Sequence, residues 1–151
     1  MRRWKNASRS GPPLPADKNL PVDGTAAARQ QAVEALGASD LADELVARLL
    51  AGAVKDPAPG VRLAALKALA HGNRNARPAL PGLAAALKDE SPAVREWSAR
   101  VLGQIGPPAK PAIPRLTQLT RDENAPVRAA AQEALAAINR GGVTNAPPPP
   151  R

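Results

Sequence analysis

The chain has 151 residues, 44% of them apolar but only 1% aromatic, and a formal net charge of +8. It has no cysteine and a single histidine, His71, which excludes disulfide frameworks, thiolate metal sites, thiol nucleophiles and multi-histidine metal centres. Phe and Tyr are absent and the only large rings are Trp4 and Trp97, so burial must come from Ala, Leu, Val and Ile, a composition that favours closely packed helices over sheets.

Residues 1–24 carry five basic and two acidic side chains, a surplus of +3. The basic start Met1-Arg2-Arg3-Trp4-Lys5 leads into Asn6-Ala7-Ser8-Arg9-Ser10-Gly11-Pro12-Pro13 rather than the apolar run of an export signal. No stretch approaches the roughly 18 to 20 apolar residues of a membrane span. The expectation is a soluble, cytoplasmic protein with a basic, Pro-rich N-terminal tail over 1–24. Within it, residues 12–22 read as a decayed cap segment, because Asp17 and Pro21 fall where a core residue and a helix interior belong.

The first clear helix is expected over 25–36. A second runs over 40–55, capped by Ser39 or Asp40, and a third over 58–70. The next begins in a proline-rich turn, as the first turn of a helix allows, and places Leu80, Leu83, Ala84 and Leu87 on one face. Its partner puts Val94, Ser98, Val101, Leu102 and Ile105 on one face. Gly103 is expected to loosen that helix and Gly106-Pro107-Pro108 to end it. The pair returns from Ile113 to Ile138 through Leu116, Leu119, Val127, Ala131, Ala134 and Leu135, while 141–151 is a Pro-rich tail unable to form a helix.

These elements repeat. Val61-Arg62, Val94-Arg95 and Val127-Arg128 recur at a step of 33 residues. Aspartate keeps the same step at Asp23, Asp56, Asp89 and Asp122, as leucine does at Leu36, Leu69, Leu102 and Leu135, and Pro78-Ala79-Leu80-Pro81 returns as Pro111-Ala112-Ile113-Pro114. Several columns in one register define an all-α stack of antiparallel helical hairpins over residues 25–140, about seven helices in a solenoid.

The segments Lys88-Asp89-Glu90-Ser91-Pro92-Ala93-Val94-Arg95, Asp122-Glu123-Asn124-Ala125-Pro126-Val127-Arg128 and Asp56-Pro57-Ala58-Pro59-Gly60-Val61-Arg62 resemble the HEAT-repeat superfamily, most closely the short bacterial HEAT-like repeats also found in phycobilisome lyase subunits. The Thr-Pro-Leu-His signature of ankyrin repeats and the aromatic columns of tetratricopeptide repeats are absent. The resemblance implies an armadillo-type, right-handed superhelix whose second helices line a concave face. It also implies that Asp56, Arg62, Asp89, Arg95, Asp122 and Arg128 form a structural ladder rather than a catalytic set. On the concave face the candidate partner-binding residues are Lys67, Glu96, Arg100, Gln104, Gln132 and Glu133, joined by Trp97. Trp97 stands in a column that is otherwise Ala64 and Ala130, as core filler or as an aromatic anchor. His71 reads as a solvated side chain at a helix end.

No group supplies a nucleophile with its base, a metal cage or a phosphate-cradling loop. A non-enzymatic scaffold that binds another protein, without catalytic residues, cofactor or metal, is therefore the expected function. The alternatives are a phycobilin-lyase-like chaperone subunit, suggested by the resemblance alone, and weak nucleic-acid binding through the basic surface. The second is not favoured, because residues 25–140 carry fifteen basic against eleven acidic side chains with signs mixed.

Overall fold

The computed structural model describes residues 24–39, 43–71 and 76–140. The expected tails, the decayed cap segment over 12–22 and Asp40 as a capping residue lie outside them. Seven α-helices occupy the described residues: α1 Ala26–Gly37, α2 Asp43–Ala53, α3 Pro59–His71, α4 Leu80–Ala86, α5 Pro92–Ile105, α6 Ile113–Leu119 and α7 Ala125–Asn139. No strand occurs among these residues. Short 3-10 turns at Arg77–Ala79 and Pro107–Ala112 precede α4 and α6, where clustered prolines remove the N–H groups that a longer α-helix would need.

Local chemistry sets the helix ends. Thr25 caps α1, its hydroxyl accepting the Ala28 N–H at 3.4 Å. At α3, α5 and α7 a proline stands in the first turn, and the capping acceptor is displaced onto the aspartate column. Oδ1 of Asp56, Asp89 and Asp122 accepts the N–H two residues on, from Ala58, Ser91 and Asn124, at 2.8, 2.9 and 2.9 Å. The C-terminal stop of α5 is Gly106, whose φ of 76° lies in the left-handed region that a side chain disfavours.

The helices form two layers. α1, α3, α5 and α7 stack successively on one another, while α2, α4 and α6 each pack against the helix that follows. Short turns join each hairpin, α2 to α3, α4 to α5 and α6 to α7. One continuous core runs from Val33 to Ile138, with Leu66, Leu83, Leu87, Leu102, Leu116 and Ile138 fully buried. Each fully buried leucine or isoleucine contributes about 1.5–3 kcal/mol relative to exposure. Ser98 is the buried polar side chain of the core, and it donates to the Val94 carbonyl at 2.7 Å, so its burial leaves no free hydroxyl proton.

The scarcity of large rings has a visible consequence at Gly103. Expected to loosen α5, it lies buried inside an unbroken helix. A Cβ placed there would sit 3.0 Å from Cα and 3.3 Å from Cβ of Ala134, so the glycine lets α7 approach α5 at backbone range. Stacking of the second helices is thus set by small residues, as the composition requires.

Among the described residues the exposed large hydrophobics are Leu45 and Leu49 of α2, 55% and 48% accessible. The repeat explains their direction. Gly82, one 33-residue step after Leu49, faces α2, its Cβ position lying 3.4 Å from Cγ1 of Val54. Leu49 therefore looks toward the side where a preceding first helix would stand.

Candidate functional site

Two features recur at every junction between second helices, a charged rung and an exposed edge. In the rung, an arginine joins two units. Arg95 donates from Nε and Nη2 to Oδ2 and Oδ1 of Asp122, at 2.9 and 3.1 Å, and from Nη1 to the carbonyls of Asp89 and Glu90 in its own turn, at 2.8 and 3.1 Å. Arg62 repeats this one unit earlier. Its Nη2 donates to Oδ1 of Asp89 at 3.0 Å, and its Nη1 to the carbonyls of Asp56 and Pro57 at 2.9 Å each. Its Nε lies 2.7 Å from Oδ2 of Asp89 with the N–H misaligned, so that contact is electrostatic. Arg29 makes the first rung, to Asp56 at 2.7 and 3.0 Å, and its Nη1 reaches the Gly24 carbonyl.

The rung therefore connects an arginine to the aspartate of the following unit, 27 residues on, while the backbone of its own turn holds the guanidinium. The side chains of Arg62, Asp89, Arg95 and Asp122 are only 9–12% accessible, and charge pairing with hydrogen bonds, bidentate at Arg95, offsets the cost of burying them. Hydrogen bonds from Arg29, acting against burial and joined by the Ala58 N–H, hold the Asp56 carboxyl below the usual carboxylate range. At Asp122 burial pushes the carboxyl up, but hydrogen bonds from Arg95 and the Asn124 N–H outweigh it and the net displacement is downward. The Arg29 guanidinium is shifted up by its bond to Asp56. This is a pair locked in its ionised form, unsuited to passing protons.

The exposed edge differs from junction to junction. Between α3 and α5 it is filled by Trp97, which is half-buried and packed on the core. The Lys67 Nζ stands 5.9 Å and the Arg100 Cζ 5.1 Å from the ring centroid, within cation–π range. His71 lies beside it, ring centroids 5.8 Å apart, its Nδ1 2.7 Å from the Lys67 carbonyl. His71 is thus exposed at the end of α3, as expected for it, with the Trp97 ring as its neighbour. Glu96 pairs with Arg100 at 2.6 Å on the same edge.

Between α5 and α7 the column of Trp97 holds Ala130 instead. There a groove of about 580 Å³ is lined by Arg100, Gly103, Gln104, Glu133, Ala137 and Arg140. Three of the candidate residues, Arg100, Gln104 and Glu133, converge in it. Lys67, Glu96 and Trp97 stand at the adjoining junction, and Gln132 is exposed without lining the groove. Sequence reasoning missed Arg140 and Ala137. The 33-residue register held the signal for Ala137, which is the counterpart of His71 and Gln104.

Among the described residues no group of three or more His, Asp or Glu side chains comes together to hold a metal ion. No described helix is long and apolar enough to cross a membrane.

Stacked hairpins sharing one core, joined by a rung at each turn and displaying the outer edges of their second helices, define an all-α helical-repeat solenoid. A family model of HEAT repeats matches residues 46–136, and the chain belongs to that family. In solved structures the fold is similar to an engineered protein determined crystallographically by the Northeast Structural Genomics Consortium, with a TM-score of 0.67 and 23% sequence identity. The match covers 82% of this chain and 61% of that one, so this chain spans less than two thirds of its neighbour's length. No curated protein matches the chain in sequence. HEAT repeats are helical scaffolds, typically non-enzymatic, that usually mediate protein interactions.

Proposed function

We propose that the chain is a non-enzymatic, cytoplasmic scaffold that seats a segment of another protein in the groove between α5 and α7, with the Trp97 cluster as the lip of that seat. The observation that carries this reading is the groove itself: small residues at its floor, Gly103 and Ala137, flanked by Arg100, Gln104, Glu133 and Arg140. An extended segment finds backbone-scale depth there, with donors and acceptors at both walls and ordered helices behind them, so little ordering cost falls on the scaffold. Trp97 adds an apolar ring with a cationic rim, the kind of residue that anchors interfaces.

A photoactivatable cross-linking residue placed at Gln104, and separately at Lys88 in the exposed turn after α4, tests the proposal in native lysate. The reading predicts a discrete cross-linked protein from position 104 and none from position 88. Equal labelling from both positions, or none from 104, overturns it.

A further inference from the structure

One column of the 33-residue register crosses the exposed edge of the second helices α1, α3, α5 and α7. It holds Glu34, Lys67, Arg100 and Glu133 in that order, each of them exposed. The rows three and four residues to either side hold one carboxylate, Glu96, and no lysine or arginine. The edge therefore carries the charge order negative, positive, positive, negative along the stack.

Contacts between the helices put this column on one surface. Gln30 donates from Nε2 to Oε1 of Glu34 at 2.9 Å, and its own Oε1 lies 2.8 Å from where a Cβ would stand on Gly60 of α3. Lys67 and Arg100 flank the Trp97 ring from α3 and α5. Arg100 and Glu133 line the groove between α5 and α7.

Neighbours in the column do not neutralise one another, since no ion pair joins any two of them among the described residues. Glu96 takes one edge of the Arg100 guanidinium at 2.6 Å, but the side chain remains 46% accessible and keeps further donors for a second acceptor. The face of Trp97 holds two cations beside one ring, which concentrates positive potential at the centre of the row.

The step along the row selects the backbone that can follow it. Packed helices stand about 8–10 Å apart. A polyproline II chain has three residues per turn and rises about 3.1 Å per residue, so every third side chain returns to the same face after about 9 Å. In a β-strand the third residue points to the opposite face.

We propose, building on the groove and the Trp97 cluster as a partner's seat, that the segment seated there is a polyproline II stretch lying across the second helices. Acidic side chains three residues apart meet Lys67 and Arg100, and a basic side chain three residues beyond each of them meets Glu34 and Glu133. The order is palindromic and so suits either chain direction. A chain already extended in this form loses little entropy on docking.

Fluorescence anisotropy of labelled, end-capped peptides against the full chain tests the proposal. The probe Lys-Pro-Pro-Glu-Pro-Pro-Glu-Pro-Pro-Lys is expected to bind at least about tenfold tighter than its charge-reversed counterpart, Glu-Pro-Pro-Lys-Pro-Pro-Lys-Pro-Pro-Glu, and than Lys-Pro-Glu-Pro-Glu-Pro-Lys, which keeps the order at the wrong spacing. Lys67→Glu with Arg100→Glu is expected to abolish the preference between the first two peptides. Adding Glu34→Lys and Glu133→Lys is expected to invert it, with the helicity of both variants checked by circular dichroism. Equal binding of the three peptides to wild type, a preference unchanged in the folded double variant, or displacement of the first peptide by an oligothymidylate overturns the proposal. With a discrete cross-link still formed from position 104, any of these results removes the charge order and leaves the groove as a seat. Loss of that cross-link together with absence of peptide binding removes both.

Discussion

The α3–α5 and α5–α7 junctions share one rung design and differ at one column. Both are tied by an arginine fork on the next unit's aspartate, and both lay one second helix on another across small residues. At the first, Trp97 fills the exposed edge and gathers Lys67, His71 and Arg100 around it. At the second the column is Ala130, and a groove of about 580 Å³ opens between the same helix edges. The rung and the small residues hold the units together at both junctions, and the outer edge is where the two differ.

The rung is where the two junctions should behave alike, and breaking it gives the largest effect. Arg95→Ala removes two bonds to Asp122 and two to its own turn, leaving a carboxylate of 9% accessibility without its cation. The expected loss is about 2–4 kcal/mol, read as a lower midpoint in urea unfolding followed by circular dichroism. Arg128→Ala, which removes only bonds within its own turn, is expected to cost about 1 kcal/mol in the same measurement. Equal losses for the two would contradict the inter-unit role of the fork.

Trp97→Ala turns the closed junction toward the open one. Because the ring is half-buried, the expected cost is about 2 kcal/mol, below that of a fully buried tryptophan. Gly103→Ala acts on the shared feature instead. The helix gains up to about 1 kcal/mol in propensity, while a methyl 3.0 Å from the Ala134 Cα pushes α7 outward at about 1–3 kcal/mol. A net loss of about 1 kcal/mol is expected, and a stabilised Gly103→Ala variant would show that α5 and α7 are not in backbone contact.

The smallest effect at neutral pH is the acid dependence of the rungs. Asp56 and Asp122 have carboxyls depressed below their unfolded values, so their contribution is fully present above an unfolded pKa of about 3.9 and is lost as pH falls through the folded value. Stability should be flat from neutral pH down to about 5 and fall below about 4, with Arg95→Ala showing a shallower acid limb than wild type. A parallel acid limb in that variant would remove Asp122 from the account.

Much of this was legible in the sequence because solenoid contacts are local and repeated. Thr25, the prolines at Pro59, Pro92 and Pro126, and the Asp and Arg columns fix where helices begin, and the 33-residue step fixes which faces meet. What escaped was contact geometry between units. Gly103 reads as a helix breaker in one dimension, and only the approach of Ala134 shows it to be a packing residue. His71 is exposed at its helix end as the sequence suggests, but its ring neighbour, Trp97, lies in the next unit and is not visible in one dimension. Of the candidate residues, Arg100, Gln104 and Glu133 share one groove, whereas Gln132 falls on a different face, a distinction that depends on helix rotation within the stack.

The most direct test exchanges the plug. Ala130→Trp places at the α5–α7 junction the residue that closes α3–α5, and the readout is photocross-linking from position 104 in native lysate, compared with the same probe in the wild-type background. The account predicts a helical, cooperatively unfolding variant whose cross-linked product is lost because the groove is filled. Undiminished cross-linking in that folded variant would contradict the claim that the open junction is where a partner is seated.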